Sequence, residues 1–320
     1  MRNYFQMIKW MRPSGSAALD LFCEIYLEPY FGKPDLYGNY IKVIPNKDGS
    51  APNLCFTAHS DTVHQNGGIQ DTKIEGNWLF AVNSDCLGAD CTTGIWLILE
   101  MMHAKIPGVY VIHADEEVGC IGSRDLVRDN PAWLDEIDAV ISFDRKGSKS
   151  VVTHQIGYRT ASDAFAKSFA EAVDMPELVP DAGGVYTDSN EYAEIIGECT
   201  NIGVGYLSQH TSSECQDLAY LQHLRDKLIA ADWSKLVFER DPKTSFYDPY
   251  QSKWDKFDSR FASNDYEKDS LLYLVETYSE DVAEYLYNLG FTADTIAEEL
   301  GIDDSGYLSR VIHNDRKYIG

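Results

Sequence analysis

The chain has 320 residues, of which 44% are hydrophobic, and a formal net charge of −24. This is enough for one large domain or one domain with an appendage, while the acidic balance argues against general binding to nucleic acid or anionic membranes. Seven cysteines, an odd number without a C-x-x-C pair, do not form a disulfide framework. Cys55, Cys86, Cys91, Cys120 and Cys199 lie in or beside apolar runs and read as buried free thiols of a reducing compartment.

The first residues, Met1 to Phe5, lack a long apolar segment followed by a small-residue cleavage site. No apolar stretch approaches the roughly 20 residues needed to span a bilayer. The expected location is therefore the cytoplasm. Residues 16–30 predict an opening helix with a serine cap, and 35–45 a turn followed by a strand. Four nearly continuous apolar runs follow: Asn53 to Ala58, Val109 to Ala114, Ala139 to Phe143 and Thr200 to Gly205. Each suits a strand buried on both faces of a sheet. Helical patterns lie between and after them, over 93–102, 163–173 and 214–229. Strands alternating with helices predict an α/β sandwich, whose sites form at the carboxyl ends of strands.

Charged clusters fall where those runs end. His59-Ser60-Asp61 follows the first, and a His-x-Asp pair can set an imidazole on a metal while the carboxylate orients it through the other ring nitrogen. Asp90 opens the apolar helix, where it could bridge two cations or merely cap the helix; Asp85 is a competing ligand candidate. Glu116-Glu117 is the strongest local signal. Adjacent glutamates at the end of a buried strand repel unless they have a task, and one can bind a metal while the other acts as general base. An exposed acidic turn is the plainer alternative. Asp144 can serve a second metal, and Arg145 and Lys146 could attract a substrate carboxylate, although solvated surface positions suit those two cations better. His210 can complete the second metal's shell, or be a solvated loop histidine.

The order His-x-Asp, Gly-Ala-Asp, Glu-Glu-x-Gly, Phe-Asp and late His resembles the co-catalytic di-zinc peptidases. These include peptidase T, acetylornithine deacetylase, carboxypeptidase G and the zinc aminopeptidases. The phrases TAHSDTV, LGADCTTGI, ADEEVGCIGS and SFDRKG carry the likeness, which spans roughly residues 15–230. The resemblance implies a three-layer α/β/α sandwich with a mixed, mostly parallel sheet, and two divalent metal ions, zinc first among them. His59 and Asp144 would bind one ion, Glu117 and His210 the other, with Asp90 shared. Asp61 would orient His59, and Glu116 would be general base and acid. The implied reaction is attack of metal-activated water on an amide bond of a peptide or acyl-amino-acid substrate, with homo-oligomerisation open.

Two departures stand out. Many relatives carry a second Asp after the bridging one, where this chain has Cys91. Peptidase T and its close kin also insert a lid domain, for which too few residues lie between Asp144 and His210. Tyr186 or Tyr206 is the candidate replacement for the oxyanion donor a lid would bring.

Residues 1–235 are thus expected to form the catalytic domain, 236–264 a proline- and aromatic-rich connector, and 265–320 a small all-α appendage. Gly290 to Ile312 is similar to a helix-turn-helix, but Asp303 and Asp304 at the start of the recognition helix would face phosphates, so a docking or oligomerisation role is preferred over DNA binding. The alternative to an enzyme is a ligand-sensing regulator whose tail contacts DNA or protein.

Overall fold

The computed structural model describes residues 1–243 and, beyond them, only Val275 and Val282, both helical. The chain divides into two compact units, Met1–Ser252 and Lys253–Gly320. Apart from those two valines, the helix-turn-helix-like segment and the connector from 244 onwards lie outside the described residues.

The first unit is built on a seven-stranded mixed sheet. Its strands, in chain order, are β1 (Tyr40–Ile44), β2 (Leu54–His59), β3 (Gly108–His113), β4 (Ala139–Arg145), β5 (Ser150–Val152), β6 (Val179–Asp181) and β7 (Glu198–Gly203). Their spatial order is β6-β5-β7-β4-β2-β3-β1. The central pairs β7–β4, β4–β2 and β2–β3 are parallel, while β1 joins β3 antiparallel at one edge. Every residue of β2, β3 and β7 is buried, as expected of strands covered on both faces.

Side-chain alternation divides those strands between two cores. Leu54, Phe56 and Ala58 of β2, Tyr110 and Ile112 of β3, and Ala139, Ile141 and Phe143 of β4 face one apolar cluster. Cys55, Val109, Val111 and Val140 face the other. The first face is covered by α1 (Ala17–Tyr26), α2 (Ala89–His103), α4 (Asp163–Ala172) and α5 (Leu218–Ala230), and the second by α3 (Ile121–Asp129) with the short helix Asp188–Glu191. The result is a three-layer sandwich. A separate antiparallel sheet of Tyr206–Leu207, Cys215–Asp217, Trp78–Val82 and Asp71–Glu75 lies apart from the main sheet.

Local side-chain caps fix three of the helix starts. Ser16 accepts from the Leu19 amide ahead of α1, and Ser162 from the Phe165 amide ahead of α4. Helix α5 begins four residues later than its apolar pattern suggests. Asp217 caps it, and residues 215–217 are drawn into the small sheet instead. The start of the connector is also docked on this unit. Leu236 joins the core, and the amides of Glu239 and Arg240 donate to the buried Glu198 carboxylate at 2.8 and 2.9 Å. No helix among the described residues is long and apolar enough to cross a membrane.

Helix α2 approaches the sheet unusually closely. A Cβ placed on Gly94 would lie 2.3 Å from the Phe143 carbonyl and 2.8 Å from the Ala58 Cβ. This glycine lets the helix that carries Asp90 settle between the ends of β2 and β4. Gly94→Ala is therefore expected to lower stability by about 1–3 kcal/mol through overpacking, in spite of alanine's advantage of roughly 1 kcal/mol in helices. Denaturant unfolding measures it, and an unchanged midpoint would disprove the close-approach argument.

Candidate metal centre

The carboxyl ends of β2, β3 and β4 converge with the first turn of α2 and the loop after Tyr206–Leu207. His59 ends β2, Glu116 and Glu117 follow β3, Asp144 lies near the end of β4, and Asp90 is in the first turn of α2. The potential ligand atoms of His59, Asp90 and Asp144 all lie within 4.8 Å of one another, as do those of Asp90, Glu117 and His210. Asp90 belongs to both sets. His210 Nε2 is 2.9 Å from Asp90 Oδ2 and 3.3 Å from Glu117 Oε1, and His59 Nε2 is 3.6 Å from Asp144 Oδ1.

This donor set fits a pair of divalent cations. Carboxylates and imidazoles are suitable ligands for zinc, and two triads sharing one carboxylate suit a co-catalytic pair. Glu117 Oε1 is buried and faces His210 Nε2 at 3.3 Å, so its charge must be met by that imidazole or by a cation.

Comparison with known proteins agrees with this geometry. Residues 39–181 match the model of Peptidase family M28. Among solved structures, the fold is similar to aminopeptidase PepT from Bacillus cereus (14% identity, 72% of this chain and 96% of that one, TM-score 0.58) and to a tripeptidase from Staphylococcus aureus (15%, 72% and 95%, 0.59). It is also similar to the TET1 peptidase of Pyrococcus horikoshii, which can assemble into a tetrahedron or a large octahedral shell (12%, 72% and 98%, 0.52). At these identities the structural likeness is one of fold. No curated protein matches the sequence. The match to Peptidase family M28 covers under half of the chain, and the solved structures share its fold.

Several hydrogen bonds that support this site were not visible in the sequence. Asp61 is fully buried and accepts the backbone amides of both Glu116 and Glu117 at 3.1 Å, while its Oδ1 lies 3.4 Å from His59 Nδ1. One carboxylate thus holds the His-x-Asp turn against the glutamate pair. Asp144 Oδ2 accepts from the Thr187 hydroxyl (2.8 Å) and the Asn201 side-chain amide (3.2 Å), which leaves Oδ1 facing His59. Arg12 is completely buried. Its guanidinium donates to the Ser60 carbonyl and the Thr92 hydroxyl, and lies 2.9 Å from Cys91 Sγ. Cys91 therefore faces Arg12, away from the ligand sets, which explains how a thiol is accommodated beside Asp90.

Four predicted side chains have other partners. The Tyr206 hydroxyl donates to the Asp144 carbonyl at 2.7 Å, and the Tyr186 hydroxyl donates to Glu191. Each phenol has one proton to give, and these bonds use it. Arg145 is held by Asp181 and the Gly183 carbonyl. Asp85 accepts from the Gln65 amide and belongs with His64 and Cys86, outside both ligand sets. The His64 ring is itself hydrogen-bonded at both nitrogens. Lys146 is exposed.

Electrostatics record the crowding of negative charge. Burial, and then the Asp90 carboxylate, pushes Glu117 up to about 7. Burial likewise raises Asp188, bonded to the Ser123 hydroxyl, to about 8 and Glu214 to about 8. Burial opposes protonation of His210, but its hydrogen bonds to Asp90 and Glu117 prevail and push it up to about 11. For each of these groups the folded value lies above the ordinary one, so the stability its protonation contributes is complete below the ordinary value and is lost as pH rises through the folded value. In chelator the protein is expected to melt at a lower temperature at pH 8.5 than at pH 5.5, with zinc narrowing the difference. Thermal melts across that window check this, and a metal-free protein that gains stability with rising pH would contradict it.

Proposed function

We propose that the chain hydrolyses amide bonds at the end of a peptide, or in an acyl-amino acid, at a pair of divalent cations. In this reading His59 and Asp144 hold one ion, Glu117 and His210 the other, and Asp90 joins both. The observation that carries it is the membership of Asp90 in two ligand triads whose donor atoms lie within 4.8 Å of one another. Two zinc ions, when bound, supply Lewis-acid polarisation of the scissile carbonyl and acidify water. The chain's own residues do the rest. Glu116 receives the proton of the attacking water and returns it to the departing amine. Asp61 fixes the backbone from which Glu116 projects. Thr187 and Asn201 hold Asp144 with one oxygen turned to the centre.

Support for Glu116 as base comes from its surroundings. Burial, with the Asp144 carboxylate contributing, pushes it well above the ordinary carboxylate range, against the opposing effect of His59. A carboxylate in that state can both take and give a proton. Six carboxylates line the centre: Asp61, Asp90, Glu116, Glu117, Asp144 and Asp188. Fully ionised, their charge exceeds that of two divalent cations, which favours a substrate presenting an ammonium group and so an aminopeptidase. Self-assembly is included in the proposal because the TET1 neighbour forms closed shells.

Elemental analysis is expected to find two zinc ions per chain, and a panel of aminoacyl and N-acyl-amino-acid amides to show release of amino-terminal residues. Glu116→Gln is expected to lower turnover by about 10²–10⁴-fold with zinc content unchanged. Full activity in that variant would remove Glu116 from the role. Thr187→Val is expected to weaken zinc binding about 10–100-fold, since the partner that orients a ligand is lost. Wild-type zinc affinity in that variant would exclude this function for Thr187.

A further inference from the structure

The histidine that completes the second triad sits on an exposed and locally strained loop. His210 has φ +60° and a side chain 46% exposed, and Ser208 nearby has φ +56°. Yet His210 Nε2 must meet Asp90 and Glu117 within about a bond length of the ligand position, and loops place side chains less precisely than helices or strands do. Asp90 has a parallel difficulty. Its helix starts after Gly88, which supplies no side-chain cap, so the first amides of the helix need an acceptor from elsewhere.

One residue answers both needs. Glu214 closes the His210 loop and is 1% exposed. Its Oε2 accepts the amides of Leu87 (2.7 Å) and Gly88 (3.0 Å), and its Oε1 accepts that of Ala89 (2.8 Å). These three donors immediately precede Asp90. The Glu214 amide in turn donates to the Thr211 carbonyl, and the Thr211 hydroxyl to the Ser208 carbonyl, so the carboxylate is tied back through the loop to the residues flanking His210.

We propose that Glu214 is the positioning residue of the second triad: by capping the Asp90 helix across more than a hundred residues of sequence, it sets the distance between Asp90 and His210. The inference rests on the proposed metal pair, and it assigns Glu214 no contact with substrate or metal. A cap that served the helix alone would stabilise the protein without affecting the metal.

Asp217 provides the comparison. It caps α5 by accepting the amides of Ala219 (2.9 Å) and Tyr220 (3.0 Å), three residues further along, and contacts neither triad. Glu214→Gln and Asp217→Ala are each expected to lower the melting temperature. Only Glu214→Gln is expected to weaken the more loosely held zinc equivalent, by about 10–100-fold in a zinc titration. In metal-free protein, Glu214→Gln is further expected to speed amide hydrogen exchange in both 87–92 and 208–214, whereas Asp217→Ala leaves both segments as in the wild type. Glu214→Asp, which keeps the charge and shortens the reach, serves if the amide variant does not fold. Wild-type zinc binding in the Glu214 variant, or equal weakening by Asp217→Ala, would overturn the proposal. So would unchanged exchange over 208–214, and that measurement decides even if the wild type takes up fewer than two zinc ions, a result that counts against the metal pair itself.

Discussion

The site depends on how α2 is seated against the sheet. A carboxylate can serve two ligand triads only if its helix start lies between the ends of β2 and β4 on one side and the His210 loop on the other. Gly94 permits the approach to the sheet, where a methyl group would meet the Phe143 carbonyl. Arg12 ties the residues after Asp90 to Ser60, in the turn that follows His59. Glu214 ties the residues before Asp90 to the loop that carries His210. Asp90 is thus held from three directions by groups outside both candidate triads, the kind of support that a precise metal geometry requires.

That arrangement also answers an electrostatic problem. Asp61, Asp90, Glu116, Glu117, Asp144 and Asp188 gather around one centre, and without cations the protein must protonate or pair them. The raised values of Glu117 and Asp188, and the strongly basic His210, show this pairing within the protein alone. A divalent ion in each triad would displace those protons and meet the same charge. Ligand binding and folding are then coupled, because the geometry that suits metals is the one that strains the metal-free fold.

The sequence made the candidate ligands legible because most of them follow a run that reads as a buried strand or open an apolar helix. Leu54 to His59, Gly108 to His113 and Ala139 to Arg145 alternate between two cores and deliver His59, the glutamate pair and Asp144 to one edge of the sheet. The supports were not legible for the opposite reason. Arg12, Thr187, Asn201 and Glu214 act through hydrogen bonds to residues far away in sequence, and no local period announces such a partner. The small sheet escaped notice too: Asp71–Glu75 is exposed along most of its length and shows no alternation between a core face and a solvent face. Tyr186 and Tyr206 had the right residue type for an oxyanion donor, but only coordinates could reveal that Glu191 and the Asp144 carbonyl already receive their protons.

Cys91 shows why the supports matter as much as the ligands. After Asp90, where many of the peptidases it resembles carry a second aspartate, this chain has a neutral group, and its thiol lies against a buried guanidinium. Burial pushes the thiol's pKa up while Arg12 pulls it down. A further carboxylate there would pair with Arg12, but it would also add negative charge beside Asp90, where Glu117 and Glu214 are already pushed upward. The replacement is therefore intelligible only together with Arg12, and Arg12 lies outside the segment 39–181 that matches the peptidase family. His210 and Glu214 lie outside it on the other side. The matched segment supplies six of the seven strands and most of the candidate ligands, while the flanking segments supply the interior strand β7, the groups that fix the helix of Asp90 and the histidine of the second triad. A variant that kept only the matched segment would lose β7, Asp188 and His210, and with them both the sheet that positions the cluster and part of the cluster itself.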